Sequence, residues 1–430
     1  MMSKYFGTDG IRGEAYKDIT ESLSKKIGQA LGVLNSNKCI VGMDTRESSP
    51  VLKNALVQGL KNSGFYVYDL NVTSTPSLIY LTKAYDCVGV MITASHNPYK
   101  DNGIKVINRG RKINDEEIEL LESKLGQKIV VTGQPLKYFS IYEYTKILKQ
   151  FDIPQSLKIA FDFSNGSLSY IYKDIIDYYH FRKAIVGAKP NGTNINEKCG
   201  SQNLDLIKQT VKLESCDYGF AFDGDGDRVI AIDKDLNVYD GDSLIYAIAS
   251  YYKSKNKLTN NTVVLSEDAN PGLSESLRKN LGINSVKGKV GDRFIKEEME
   301  KTQSILGGET SGHIILTKYS PTGDGLLVAL FVLNMIRETK KSLKDLVSGL
   351  KSYKIVRENY PDFDDRYVQS AKFKKELDAL IKTLKNPDSS LVLVRKSGTE
   401  HYLRVTVSTG DNKEDERLVN AIKELAGATK

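Results

Sequence analysis

The densest chemistry in the chain is Asp223-Gly224-Asp225-Gly226-Asp227-Arg228. Three carboxylates alternate with two glycines, and three anions packed together repel one another unless a cation sits among them. Glycine lets the backbone bend so that the carboxylates converge. Oxygen-only ligands select a hard ion such as Mg2+ or Ca2+. An EF-hand loop would need Gly at its sixth position and Glu at its twelfth, where this chain has Arg228 and Lys234. Three protein ligands leave room for a phosphate oxygen, an arrangement common for Mg2+. An acidic hairpin turn is the plain alternative.

A second stretch, Arg395 to Arg404 (RKSGTEHYLR), has the parts of a phosphate cradle. Arg395 and Arg404 supply forked donors, Ser397 and Thr399 supply hydroxyls, and Gly398 allows a close backbone approach. A polar hairpin loop would look similar. A third, Gly307 to His313 (GGETSGH), sets Glu309, hydroxyls including that of Ser311, and His313 on a glycine-flanked loop. Such a set can bind sugar hydroxyls, and His313 can equally be a structural histidine. Arg12 stands in a glycine-rich loop, FGTDGIRG, and Asp292 of VGDR stands where it could cap the helix that follows.

Ser95, in TASHNP, has an imidazole beside it in sequence. The hydrolase reading needs GxSxG around the serine, which is absent, and an adjacent His is poorly placed to act as its base. Turn chemistry is one account of this stretch. A serine that faces a metal site and a phosphate cradle, and itself carries phosphate, is another.

These loops need strands to aim them. Residues 39–44, 65–70 and 87–94 read as strands alternating with helices at 49–64 and 77–85, a βαβαβ pattern expected of a mostly parallel sheet. The pattern recurs with strands at 157–163, 184–188 and 218–223, and again at 262–267, near 283–289 and at 304–309. Each loaded loop then begins where a strand ends, the usual place for ligands in open α/β sheets. The expected architecture is α/β: three similar α/β domains with mixed sheets and a small C-terminal α+β domain around a central cleft. The expected boundaries are 1–152, 153–256, 257–362 and 363–430.

A chain of 430 residues is long enough for about three domains. Its 40% hydrophobic and 27% charged residues are those of an ordinary globular protein. The net charge of +7 is spread over interspersed Lys and Glu with no recognition motif, which disfavours nucleic acid and suits a cleft for phosphorylated metabolites. Gly325 to Ile336 is too short an apolar run to span a bilayer and suits a core helix. Four scattered cysteines without a CxxC pair suit a reducing cytoplasm.

Taken together and in this order, TASHNP, DGDGDR, GETSGH and RKSGTE resemble the motifs of the α-D-phosphohexomutases over nearly the whole chain. FGTDGIRG, VGDR and TGDG (322–325) are most similar to the bacterial branch that works on glucosamine phosphates. The resemblance implies a phosphoserine at Ser95 that donates its phosphoryl group to a phosphosugar. It implies Mg2+ held by Ser95, Asp223, Asp225 and Asp227, and a bound glucosamine 1,6-bisphosphate as activator and intermediate. It implies roles for Arg12 and Arg228 around the phosphoryl group, and for Lys105 and His313 as general acid/base candidates. Glu309 and Ser311 match sugar contacts, and Arg395, Ser397, Gly398, Thr399 and Arg404 match the holder of the non-reacting phosphate. Two positions depart from the pattern. Thr310 stands where aminosugar mutases more often carry an amide, and His401 stands where proline is common. The implied partners are a phosphosugar and a second copy of the chain, with no nucleic acid or membrane. The competing readings are a family member acting on mannose or glucose phosphates and a non-catalytic sugar-phosphate binder on the same fold.

Overall fold

The computed structural model describes residues 5–7, 9–127, 136–396 and 402–428. Four sheets follow one another along the chain. The first has seven strands in the order Ile11–Glu14, Asp101–Asn108, Val88–Ile92, Lys38–Met43, Tyr66–Val72 and Leu136–Tyr138, with Arg111–Lys112 paired beside Asp101–Asn108. The second runs Val238–Tyr239, Val229–Asp233, Tyr218–Phe222, Lys158–Asp162, Arg182–Val186. The third runs Asn284–Gly288, Thr262–Ser266, Leu306–Gly308, Ile314–Leu316. The fourth is antiparallel throughout: Val356–Tyr360, Leu403–Ser408, Leu391–Lys396. The strand Val356–Tyr360, which the expected boundary at 362 assigns to the third unit, pairs into this fourth sheet.

The first three sheets share one device. A parallel core ends in a strand that turns back antiparallel: Val88–Ile92 into Asp101–Asn108, Tyr218–Phe222 into Val229–Asp233, and Leu306–Gly308 into Ile314–Leu316. The loop at each of these hairpins is one of the chemically loaded stretches. The three sheets are mixed, as expected, and the loaded loops lie at strand ends; the residues of the returning strands themselves carry little strand periodicity. Arg12, expected in a loop, lies on the strand Ile11–Glu14, paired with Gly103 of the returning strand. The strand is short, Gly10 precedes it and Gly13 lies within it, so its periodicity is weak in sequence.

From Leu326 to Leu333 the helix Gly325–Thr339 is apolar on all sides, and a helical stretch of that kind is buried. Leu326 to Leu333 are all at most 2% exposed. It sits in a single hydrophobic core that also takes in Phe161, Phe220 and Phe222 of the second sheet and Leu265 and Leu306 of the third. The second and third units are therefore welded together. The first unit has its own core, built around Ile27, Val41, Leu56 and Val90, and the fourth has another around Val405, Leu418 and Ile422. No helix among the described residues is long and apolar enough to cross a membrane.

Candidate active site

Asp223, Asp225 and Asp227 converge: each offers an oxygen, and these atoms lie within 4.8 Å of one another. All three are buried. Burial, then repulsion by Asp227 and Asp225, pushes the Asp223 carboxyl well above its usual range. One oxygen each of Asp225 and Asp227 is buried without a hydrogen-bond partner. Orphaned, acceptor-only oxygens on an all-carboxylate cluster fit a hard divalent cation, which supplies the missing charge.

Ser95 faces this cluster. Its Oγ donates to Asp223 Oδ2 at 2.7 Å, and the residue is 1% exposed. The aspartate loop can come this close because Gly224 has no side chain: a Cβ there would meet the Ser95 carbonyl oxygen at 2.6 Å. His96 is nearer than the sequence suggested, with Nδ1 3.3 Å from Ser95 Oγ. Burial, then the positive charges of Arg228 and Arg12, lowers its pKa to about 4, so the imidazole is neutral at neutral pH.

Lys105 comes from the returning strand Asp101–Asn108. Its Nζ lies 2.8 Å from Asp225, 3.2 Å from Asp9 and 3.8 Å from Asp227. Burial opposes its charge, but these three carboxylates win and raise its pKa. Lys105 is thus held protonated, which suits an acid rather than a base. Arg12 pairs with Asp9 and reaches Asn97 Oδ1 at 3.5 Å. Arg228 caps its own loop through its N–H to Asp223 Oδ1 at 3.1 Å, while its Nε stands 3.8 Å from Asp227.

The third loop meets the second at Asp227. His313 is 2% exposed, with Nδ1 3.5 Å from Asp227 Oδ2. The Gly323 N–H donates to its Nε2 at 3.2 Å, which leaves the ring proton on Nδ1, facing Asp227. Glu309 accepts the Gly291 N–H on Oε1 at 2.9 Å and the Ser311 hydroxyl on Oε2 at 3.4 Å. Thr310, the departure from the family pattern, gives its hydroxyl to the buried Asp242 at 2.9 Å.

Several participants were not singled out from sequence. Asp9 gathers Arg12, Lys105 and Lys112. Lys112 bridges Asp9 to Asp292 of the third unit, at 2.6 Å from the latter. Asp292 does not stand at the cap position of its helix. It is the first helical residue, Gly291 is the cap, and its carboxylate accepts the Arg293 N–H at 2.8 Å and pairs with Lys112. Beside this clasp lies a cavity of about 310 Å³ between the first and third units, lined by Lys112, Asn114, Asp292, Arg293, Ile315 and Thr322. Asp9 sits inside FGTDGIRG, so the signal for it was present. Lys112 carried none.

The structure therefore brings together Ser95, Lys105, Arg12, the three aspartates, Arg228, Glu309, Ser311 and His313. Arg395 and Arg404 are exposed and lie directly opposite each other on adjacent antiparallel strands. Like charges so paired repel, a placement that an anion relieves. Ser397, Gly398 and Thr399, expected between them, lie outside the described residues, as does His401.

Models of the phosphoglucomutase/phosphomannomutase alpha/beta/alpha domains match residues 3–129 as domain I, 141–237 as domain II and 240–353 as domain III. A phosphoglucosamine mutase of Bacillus cytotoxicus is 39% identical over 450 residues, covering 99% of this chain and 100% of the relative. A phosphoglucomutase/phosphomannomutase family protein from Burkholderia thailandensis superposes with a TM-score of 0.82 at 22% identity, over 99% of this chain and 98% of that one. Aspergillus fumigatus N-acetylphosphoglucosamine mutase, solved with GlcNAc-6P and magnesium, superposes with a TM-score of 0.62 at 17% identity, over 91% and 83%. At these identities the two structural likenesses speak to fold.

Proposed function

The chain belongs to the phosphoglucomutase/phosphomannomutase family of α-D-phosphohexomutases, which are isomerases, and we propose that it interconverts glucosamine 6-phosphate and glucosamine 1-phosphate, a step toward UDP-N-acetylglucosamine. The observation that carries the chemistry is the buried Ser95 hydroxyl 2.7 Å from Asp223 in a cluster of three carboxylates. The choice of sugar is supported by 39% identity over the full chain to a protein named phosphoglucosamine mutase.

In this reading Ser95 carries a phosphoryl group. Phosphoserine brings about −1.5 to −2 charges and needs compensation. Asp223, Asp225, Asp227 and a phosphate oxygen of Ser95 would hold Mg2+, which draws charge off the phosphoryl group during transfer. Arg12 and Arg228 add fixed positive charge. The incoming sugar hydroxyl attacks the phosphorus as the bond from phosphorus to Ser95 Oγ breaks; Lys105 gives its proton to that Oγ and takes in turn the proton that the sugar hydroxyl loses. Lys105 stands by the reacting oxygens as a protonated donor, and His313 contributes an N–H beside the same Asp227 oxygen, Oδ2. Glu309 and Ser311 take sugar hydroxyls. Arg395 and Arg404, with Ser397, Gly398 and Thr399, hold the phosphate that is not reacting. The product of the first transfer is glucosamine 1,6-bisphosphate. It turns over in the cleft and returns its other phosphate to Ser95. A homodimer and a cytoplasmic location complete the proposal.

A coupled assay on Ser95-phosphorylated protein compares glucosamine, mannose and glucose 6-phosphates. Preferred turnover of glucosamine 6-phosphate is expected. Equal or better turnover of mannose 6-phosphate overturns the choice of sugar while leaving the family mechanism in place.

A further inference from the structure

The serine loop rests on a buried ion pair that the reaction itself does not use. Asp44 and Arg46 follow the strand Lys38–Met43. Both side chains are 0% exposed, and Arg46 Nε meets Asp44 Oδ2 at 2.8 Å. The rest of the guanidinium is spent on the backbone of the loop. Nη2 donates to the carbonyls of Ser95 at 3.0 Å and Asn97 at 2.9 Å, and Nη1 to those of Asp101 at 2.9 Å and Pro98. Asp44 Oδ2 accepts the Thr93 hydroxyl at 2.7 Å, and the oxygen of that hydroxyl accepts the Ser95 N–H at 2.9 Å. One ion pair thus holds both backbone polar groups of Ser95, the carbonyl directly and the N–H through Thr93.

Ser95 is at φ 52, in the left-handed region. A residue with a side chain stays there only when its surroundings hold it. From the second unit, Asn196 Nδ2 donates to the same Ser95 carbonyl at 2.9 Å. A buried ion pair is by itself weak evidence for stability, because such pairs are often replaceable by apolar residues without loss. What the pair supplies, and an apolar pair would not, is a fixed direction for the serine hydroxyl.

We propose that Asp44, Arg46 and Thr93 form a positioning cradle that fixes Ser95 Oγ against the aspartate cluster, so that the phosphoryl group leaves from and returns to one point in both half-reactions. The inference rests on the phosphoserine reading above. Arg46→Lys keeps the charge beside Asp44 but lacks the fork that spans four carbonyls. Thr93→Val keeps the shape and removes the acceptor for the Ser95 N–H.

For each variant, kcat, KM and melting are measured, together with the single-turnover rate of transfer from phosphorylated Ser95 to glucosamine 6-phosphate. In Arg46→Lys, kcat and the single-turnover rate fall together by about 100-fold, the size of a misplacement near 1 Å. KM stays within about threefold, because ground-state binding is untouched. Thr93→Val loses about tenfold in both rates. A folded Arg46→Lys with wild-type kcat overturns the cradle. If that variant does not fold, wild-type kcat in Thr93→Val overturns it instead. Ser95→Ala separates the two claims: turnover there sinks the phosphoserine reading, whereas an inactive Ser95→Ala beside fully active cradle variants sinks only the cradle.

Discussion

Ser95 and Asp223 are 128 residues apart in sequence, and the serine hydroxyl donates to the carboxylate at 2.7 Å. The contact joins the hairpin loop of the first sheet to that of the second. It exists because Gly224 lets the aspartate loop lie against the Ser95 backbone.

Gly224→Ala should therefore separate the two loops. The new Cβ would stand 2.6 Å from the Ser95 carbonyl oxygen and 2.8 Å from Ile195. Overpacking of this kind costs about 1–3 kcal/mol. The expected result is a lowered melting temperature and a kcat loss larger than that stability loss explains, read from activity well below the melting point. Unchanged kcat would show that the two loops need not touch.

Asp225 tests the metal site. Asp225→Asn removes one carboxylate from the cluster and the nearest partner of Lys105. Weakening of Mg2+ binding by at least about 10–100-fold is expected, since even outer partners of metal ligands are worth that much. Calorimetric titration with Mg2+ reads it directly, and an unaltered affinity would move the metal elsewhere.

Asp242 predicts a pH dependence of stability. Burial first, then Asp240, raises its pKa from 3.8 to about 7. The folded state then binds more protons than the unfolded state between about pH 4 and 7. Stability from this group is full at the acid end of that window and declines as pH rises through it, by up to about 4 kcal/mol. Urea unfolding at several pH values checks this. Asp242→Asn should flatten the slope, and a parallel slope in the variant would assign it to other groups.

The welded core of the second and third units predicts a plain stability effect. Leu330 is 0% exposed in the helix Gly325–Thr339. Leu330→Ala should cost about 2–5 kcal/mol in denaturant unfolding, with the spread set by how far the site collapses. A loss below about 1 kcal/mol would mean the helix is less tightly packed than its burial indicates.

The sequence was most legible where the physics is local. Apolar runs such as Val88–Ile92 and Tyr218–Phe222 announced the parallel strands, and the loaded loops after them announced the site. The returning strands were harder to see. Asp101–Asn108 opens with Asp-Asn-Gly, turn-forming residues that read as a continuing loop, and only its pairing with Val88–Ile92 makes it a strand. Arg46 followed a strand that was read correctly, at the kind of carboxyl end where ligands gather, and that rule could have flagged it. What the rule could not give is that its guanidinium turns inward to four carbonyls. Lys112 was illegible for the same reason, because its two partners, Asp9 and Asp292, lie in different units.

Whether Ser95 carries the phosphoryl group is read by following that group itself. Protein labelled with radioactive phosphate on Ser95 is mixed with one equivalent of glucosamine 6-phosphate and Mg2+, quenched, and divided between protein and sugar. Label is expected to leave Ser95 and to be found on sugar mono- and bisphosphate at the rate of turnover, and Ser95→Ala to take up no label and turn nothing over. Label that remains on the protein while substrate is converted, or a Ser95→Ala variant with wild-type turnover, would contradict a phosphoryl carrier at Ser95.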